Sequence, residues 1–311
     1  MRIGIVGAEE ELHTWYVKSI LEELGVEVLV VDTLNYPARV TFSIKNGFPL
    51  YQEKEVEDIK VFYLRSVFYS HPPYDLEELR KSGKFDYDGW YENYVAERER
   101  QSQLTSWLKI LTLRGKKLVN PIESFDLHFL KPFQITLLQR NGIPVPKTLV
   151  TNNPRELFRF REEVKNIVYK PVAGGAGCQL MNDKDWSKER LQLLYNAPVF
   201  FQEYIEGDNV RAYVLGDDVI SSGVIYTDNV DYRGHEKRIE KIILPDEIKE
   251  ICVKAMKICG MAFTGIDLKM KPDGTFVILE CNPSPMFIGF EKAIGEPIGK
   301  KLAQFLISES Y

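Results

Sequence analysis

The chain has 311 residues, 45 acidic and 40 basic side chains, 44% hydrophobic residues and 12% aromatic residues. That length suits about two domains or three small lobes, and the apolar content excludes a disordered chain. The net charge of −5 lacks the basic stripe expected if nucleic acid were the main partner. No apolar run approaches the roughly 20 residues that cross a bilayer, so no membrane partner is expected. The start MRIGIVG lacks the features of a signal peptide. Cys178, Cys252, Cys259 and Cys281 form no CxxC pair or metal-ligand spacing. Free buried thiols in a cytoplasmic protein are expected.

In chain order, Arg2–Val6 reads as a strand, Leu12–Leu24 as a helix and Glu27–Val31 as a second strand ending in Asp32. Strand, helix and strand with short joins predict a parallel pair, and Lys60–Leu64 reads as a later strand of the same sheet. Gly4 and Gly7 do not make a dinucleotide fingerprint, because no third glycine follows and Glu9, Glu10 and Glu11 would repel a pyrophosphate. Asp32 is then a strand-end residue. From Ser70 to Gln103, Tyr74, Phe85, Tyr87, Trp90, Tyr91 and Tyr94 sit among charges. A solvated helix with a few core aromatics is the favoured reading, and a partner-binding surface the alternative.

After Asn120-Pro121 the pattern restarts. A helix from Lys131 to Asn141 stops at Gly142, and Ile143-Pro144-Val145-Pro146 leads to a strand at Thr148–Thr151. Asn153-Pro154 opens another helix, and the strand Asn166–Lys170 runs into Pro171-Val172-Ala173-Gly174-Gly175-Ala176-Gly177. Strands follow at Val199–Tyr204, Val210–Leu215 and Val219–Tyr226. A helix at Pro245–Cys259, strands at Gly265–Met270 and Thr275–Cys281, and a helix at Ile298–Ile307 complete the chain.

Three segments carry chemistry. The glycines at 174, 175 and 177 let backbone N–H groups approach an anion, although Lys170 precedes the loop rather than closing it as in a P-loop. Gln202-Glu203-Tyr204-Ile205 ends a strand in polar groups, where backbone can read adenine and Glu203 or Asn209 can bond a ribose. The third segment is Asp267 and Glu280 on aliphatic strands joined by Pro272-Asp273-Gly274. Carboxylates there are costly to bury unless they bind a cation. Glu280 and Asn282, two apart, share a face, and an oxygen-only set suits Mg²⁺.

The order KPxxGGxG, QEYI, DxK and ExN after the linker GIPVPKT resembles the ATP-grasp superfamily. Glu280-Cys281-Asn282-Pro283-Ser284-Pro285 with Gly289-Phe290-Glu291-Lys292 is similar to RimK-like carboxylate–amine ligases. The likeness covers about 120–311. It implies an α/β fold with α+β lobes: an N-terminal Rossmann-like pre-grasp domain over 1–122, then a central ATP-grasp subdomain over 123–206 and a C-terminal one over 207–311. It implies Lys131 and Lys170 as nucleotide lysines, with Gly174, Gly175 and Gly177 over the phosphates. Glu203, Tyr204 and Ile205 would form the adenine hinge, with Gln202 also at the nucleotide, and Asn209 stands at the ribose position where relatives usually carry Asp. Arg211 and Arg233 would face the phosphates and the acyl-phosphate, and Asp267, Glu280 and Asn282 would hold Mg²⁺, with Mn²⁺ as an alternative. His235 lies where relatives often place an asparagine, so its role stays open.

The implied reaction is ATP-dependent activation of a carboxylate as acyl-phosphate, then attack by an amine or hydroxyl with release of ADP and phosphate. The substrate would be a peptide, protein or amino acid, and homo-oligomers occur among such enzymes. Val61–Arg65, Glu92–Gln103 and Ser222–Arg233 look similar to the macrocyclase branch, which crosslinks a ribosomal precursor peptide, whereas SPMFIGFEKAIG looks similar to the amino-acid ligases. A non-catalytic ATP-binding module is the remaining alternative, disfavoured because Asp267, Glu280 and Asn282 are all present.

Overall fold

The computed structural model describes residues 1–67, 86–232, 234 and 236–311. Two compact units divide the chain, one of 1–122 with 303–311 and one of 123–302.

The first unit holds a sheet of order β2-β1-β6-β7, from β1 (Arg2–Gly7), β2 (Glu27–Asp32), β6 (Val61–Leu64) and β7 (Lys117–Val119). All neighbours are parallel. Such a sheet is covered on both faces, which is why β1 and β6 read as continuous apolar runs. Between β2 and β6 lies a three-stranded antiparallel meander of β3 (Phe42–Lys45), β4 (Phe48–Tyr51) and β5 (Lys54–Glu55). Helix α1 (Leu12–Glu23) is capped by the Glu11 carboxylate, which accepts from Thr14 N at 2.8 Å. Asp32 ends β2 by accepting from the Leu34 and Asn35 amides, as expected of a strand-end residue.

Helix α2 (Tyr87–Leu113) confirms a helix over the aromatic segment, yet its aromatics differ from the expectation of core residues. Leu104, Trp107, Leu108 and Leu111 are the buried ones, whereas Tyr87, Tyr91 and Tyr94 are exposed. Tyr87 stacks on Tyr91 and Trp90 on Tyr94. Rings at i and i+4 meet on one side of a helix and cover each other in place of a core. Tyr74 and Phe85 lie outside the described residues.

The second unit begins within α3 (Ile122–Phe129). Helix α4 (Lys131–Arg140), with proline in its first turn, leads to β8 (Thr148–Thr151), α5 (Pro154–Glu163), β9 (Ile167–Pro171), β10 (Gln179–Leu180), α6 (Lys188–Gln192) and β11 (Val199–Glu203). These strands form an antiparallel sheet of order β10-β9-β11-β8. Leu157 and Phe160 of α5 pack on Ile167 and Phe201. A five-stranded antiparallel sheet of order β14-β13-β12-β15-β16 follows. Its strands are β12 (Asp208–Leu215), β13 (Asp218–Tyr226), β14 (Arg238–Lys241), β15 (Phe263–Met270) and β16 (Phe276–Asn282). Helix α7 (Asp246–Ile258) presents Ile248, Cys252, Ala255 and Met256 to it, the one-face spacing of an amphipathic helix. The chain ends in α8 (Ile288–Ile294) and α9 (Ile298–Ser308). None of the four cysteines is in a disulfide; Cys252, Cys259 and Cys281 are buried as expected, but Cys178 is half-buried, because it follows the glycine-rich loop instead of packing in a core. Among the described residues no helix is long and apolar enough to cross a membrane.

Candidate active site

Strands β12 and β15 have two chemically distinct faces. Val210, Ala212 and Val214 with Ile266 and Leu268 join the core against α7, so the intervening Asn209, Arg211, Asp267 and Lys269 point to the other face. Arg211 pairs with Asp267 and Asn209 with Lys269 in the β12–β15 register. On β16 the alternation slips. Asp267 opposes Glu280, but Leu268 opposes Ile278, leaving Leu279 extra in a bulge. Ile278 and Cys281 both lie in the core. The bulge therefore re-aims Glu280 to Asp267's side, where unbroken period-two counting from Ile278 would bury it.

Strand β16 is at the edge of its sheet, and Gln134 of α4 supplies the missing backbone partner. Its amide accepts from Cys281 N and donates to Cys281 O, each at 2.9 Å. Lys131, one turn earlier on the same helix face, donates from Nζ to Glu280 Oε2 at 2.5 Å. One helix thus fixes both the strand and its carboxylate.

Two ion pairs define the electrostatics. Burial alone would push the Glu280 carboxyl up, but the charges of Lys131 and Lys170 hold it at about 2. Burial opposes the Arg211 charge, yet Asp267 beside it raises its pKa further, and Arg211 Nη1 donates to Asp267 Oδ1 at 2.5 Å. The same oxygen accepts from Tyr232 OH at 2.7 Å. Burial and the Asp267 charge push the Tyr232 phenol well up, so it acts as a donor at neutral pH. Gly265 makes room for Arg211: a Cβ there would lie 2.6–2.7 Å from the guanidinium.

Lys170 at the end of β9 lies over the Phe200 ring at 4.8 Å. The loop after it carries Gly174 and Gly175 at φ +87° and +88°, a region that favours glycine. A Cβ on Gly174 would touch Lys131 Cε at 3.4 Å, and one on Gly177 would meet Asp231 Oδ2 at 3.1 Å. The loop therefore passes directly above Lys131. At the end of β11, Gln202 is buried and donates to Thr148 Oγ1 at 3.1 Å. Glu203 N donates to Lys147 O and Tyr204 N to Asn166 O, each at 2.9 Å. These bonds anchor the end of β11 on both sides.

One cavity is lined by Lys170, Gln202, Glu203, Tyr204, Ile205, Asn209, Asp267 and Glu280. Lys131 joins them through Glu280, and Arg211 through Asp267. Asn282 is two residues from Glu280 and opposite Gly265; its Oδ1 accepts from Ser284 N at 3.1 Å. Arg233 and His235 lie outside the described residues. The oxygen donors fit a hard divalent cation: the carboxylates of Asp267 and Glu280 face each other, and the Asn282 amide lies two residues along the strand, although Cys178 also lines the cavity. Among the described residues no group of three or more His, Cys, Asp or Glu could hold a metal. Waters and substrate oxygens would have to complete such a shell.

Sequence reasoning missed four residues here. Gln134 gives no signal, since a helical glutamine is ordinary. Lys269 was visible in the DxK pattern; it lines the cavity and donates to Gly207 O at 3.0 Å, and burial lowers its pKa. Asp231 and Tyr232 precede Arg233 in the motif but gave no chemical reason to be singled out.

The profile of the RimK-like ATP-grasp domain matches residues 131–306. The tetrahydromethanopterin:alpha-L-glutamate ligase of Methanococcus maripaludis is 24% identical, over 100% of this chain and 98% of its own length. Among solved structures, the ATP-grasp ligase PsnB complexed with a minimal precursor is 35% identical over 99% of this chain and 98% of its own, with TM-score 0.87. The macrocyclase MdnC of Microcystis aeruginosa MRC, bound with precursor peptide MdnA, shares the fold at TM-score 0.82 and 20% identity, over 99% of this chain and 100% of its own.

Proposed function

Taking as premise that this chain belongs to the RimK-like ATP-grasp family and is an ATP-dependent ligase of a carboxylate to an amine, we propose that its substrate is a peptide. In this reading the carboxylate is a peptide side chain, and the acceptor is an amine or hydroxyl of the same peptide. Full-length likeness to a ligase solved with a precursor supports the peptide. A second reading, addition of an amino acid to a carboxylate, is favoured by the full-length match to a glutamate ligase.

The observation that carries the chemistry is the facing of Asp267 and Glu280 beneath a glycine-rich loop, each carboxylate held by a buried cation. We assign Lys131, Lys170 and the amides of Gly174, Gly175 and Gly177 to the nucleotide phosphates. Gln202, Glu203, Tyr204 and Ile205 are assigned to the adenine, and Asn209 to the ribose. Asp267, Glu280 and Asn282 would hold Mg²⁺, which would supply neutralisation of phosphate charge. Arg211 orients Asp267 and, with Arg233, adds positive charge where the phosphoryl group moves. Lys131 and Arg211 free a charge-assisted donor for phosphate whenever their carboxylates take a cation instead. Transfer then depends on positioning rather than on a protein nucleophile. The sheets within 123–206 and 207–311 are assigned to the two grasping lobes, and 1–122 to the pre-grasp domain.

Mass spectrometry of peptides incubated with protein, ATP and Mg²⁺ tests the substrate. Loss of water from an acid-rich peptide with ADP formation supports an intramolecular crosslink. Gain of an amino-acid residue supports the second reading. AMP as product contradicts acyl-phosphate chemistry.

A further inference from the structure

One dipeptide touches both the glycine-rich loop and the metal strand. Asp231 Oδ2 accepts from Cys178 N at 2.9 Å, and a Cβ added to Gly177 would sit 3.1 Å from the same oxygen. The next residue, Tyr232, donates its hydroxyl to Asp267 Oδ1 at 2.7 Å. Asp231 and Tyr232 both line the cavity that holds Lys170, Asp267 and Glu280. Asp231 also lines the cleft between 175–180 and 229–231.

We propose that Asp231 and Tyr232 are positioning residues that latch the glycine-rich loop to Asp267, so that the loop over the phosphates and the carboxylate for the cation are set together. The inference rests on the nucleotide and metal roles assigned above. Consecutive side chains bond the loop and Asp267, so a shift of this backbone moves both contacts. Tyr232 and Arg211 both take Oδ1 of Asp267, which leaves Oδ2 to face a cation. A loop amide bonded to a carboxylate is held more firmly than one bonded to water. Gly177 keeps the separation small enough for the bond to Cys178 N.

The test compares the full chain with Tyr232→Phe, Asp231→Ala and Asp231→Asn. Tyr232→Phe removes one hydroxyl from Asp267 and no atom bonded to the loop. It should nevertheless speed amide hydrogen exchange at Cys178 about 10-fold, the scale of one charge-assisted hydrogen bond. Asp231→Ala should raise the Mg²⁺ concentration for half-saturation by a non-hydrolysable ATP analogue about 10-fold, by the same reasoning. Asp231→Asn keeps an oxygen acceptor and should restore the Cys178 protection. Exchange at Cys178 unchanged in Tyr232→Phe, or an unchanged Mg²⁺ requirement in Asp231→Ala, overturns the latch. Exchange in the β12 and β15 core amides reports general loosening; where Asp231→Ala loosens them too, Tyr232→Phe alone decides. The exchange arm uses nucleotide-free protein, so a wild type that binds no analogue contradicts the functional reading without deciding this one.

Discussion

Replacing Lys131 with methionine tests how the site holds its charge. The methionine keeps the apolar stem and removes the ammonium that lies 2.5 Å from Glu280. Glu280 is held at about 2, against an ordinary value of 4.5, by Lys131 first and Lys170 second. Each pH unit corresponds to about 1.4 kcal/mol, so the depression contributes about 3 kcal/mol of folded-state stability in total. Lys131 supplies the largest attractive share, which predicts a loss of about 2 kcal/mol in the variant at neutral pH. The sign follows from the lowered folded-state value. The contribution is complete above the unfolded value of about 4.5 and disappears as pH falls through about 2. Urea unfolding of both proteins from pH 7 to pH 2.5 measures it. The midpoint difference should be largest at neutral pH and narrow below pH 4. A variant as stable as the wild type at pH 7, or a difference that does not change with pH, would refute the reasoning.

Three other substitutions or treatments have defined outcomes. Gly265→Ala places a methyl within 2.7 Å of the Arg211 guanidinium. Ligase turnover should fall at least about 10-fold while stability drops by about 1–3 kcal/mol, an overpacking cost, as read by ADP release and thermal unfolding. Gln134→Leu leaves the Cys281 N–H and C=O without their partner. A loss of about 2 kcal/mol and faster amide exchange at Cys281 are expected. Under native conditions an alkylating reagent should label Cys178 first, since it is only half-buried. Cys252, pushed up to about 12 by burial, should react only after unfolding, as peptide mapping would show.

The strands and helices of the second unit were legible because their signals are strong and local. Asn153-Pro154 caps and opens α5, and Ile248, Cys252, Ala255 and Met256 repeat at helical spacing on α7. That a hairpin brings Asp267 and Glu280 near each other was also legible from the short turn between aliphatic strands, although the turn's own register would set Leu279 opposite Asp267. The bulge at Leu279 was not, because one extra residue in a strand leaves no mark in composition. The meander of β3, β4 and β5 lacks strict alternation, with Pro49 and several charges inside it. The aromatics of α2 misled in the other direction, because large apolar rings suggest a core while this helix buries Trp107 and leaves Tyr87 and Tyr91 outside. Partners such as Gln134 and Tyr232 act through contacts of high sequence separation. Nothing near them in the chain announces such a role.

In the proposed mechanism Asp267 and Glu280 hold the cation for ATP-dependent activation of a carboxylate. Nucleotide product analysis on the wild type and Glu280→Gln, each with Mg²⁺ and an acid-rich peptide, tests it most directly. ADP and a dehydrated peptide are expected from the wild type, and ADP formation lower by about 100-fold or more in the variant, on the scale of losing a group that stabilises transition-state charge. AMP as the product, or full ADP formation by Glu280→Gln, would contradict it.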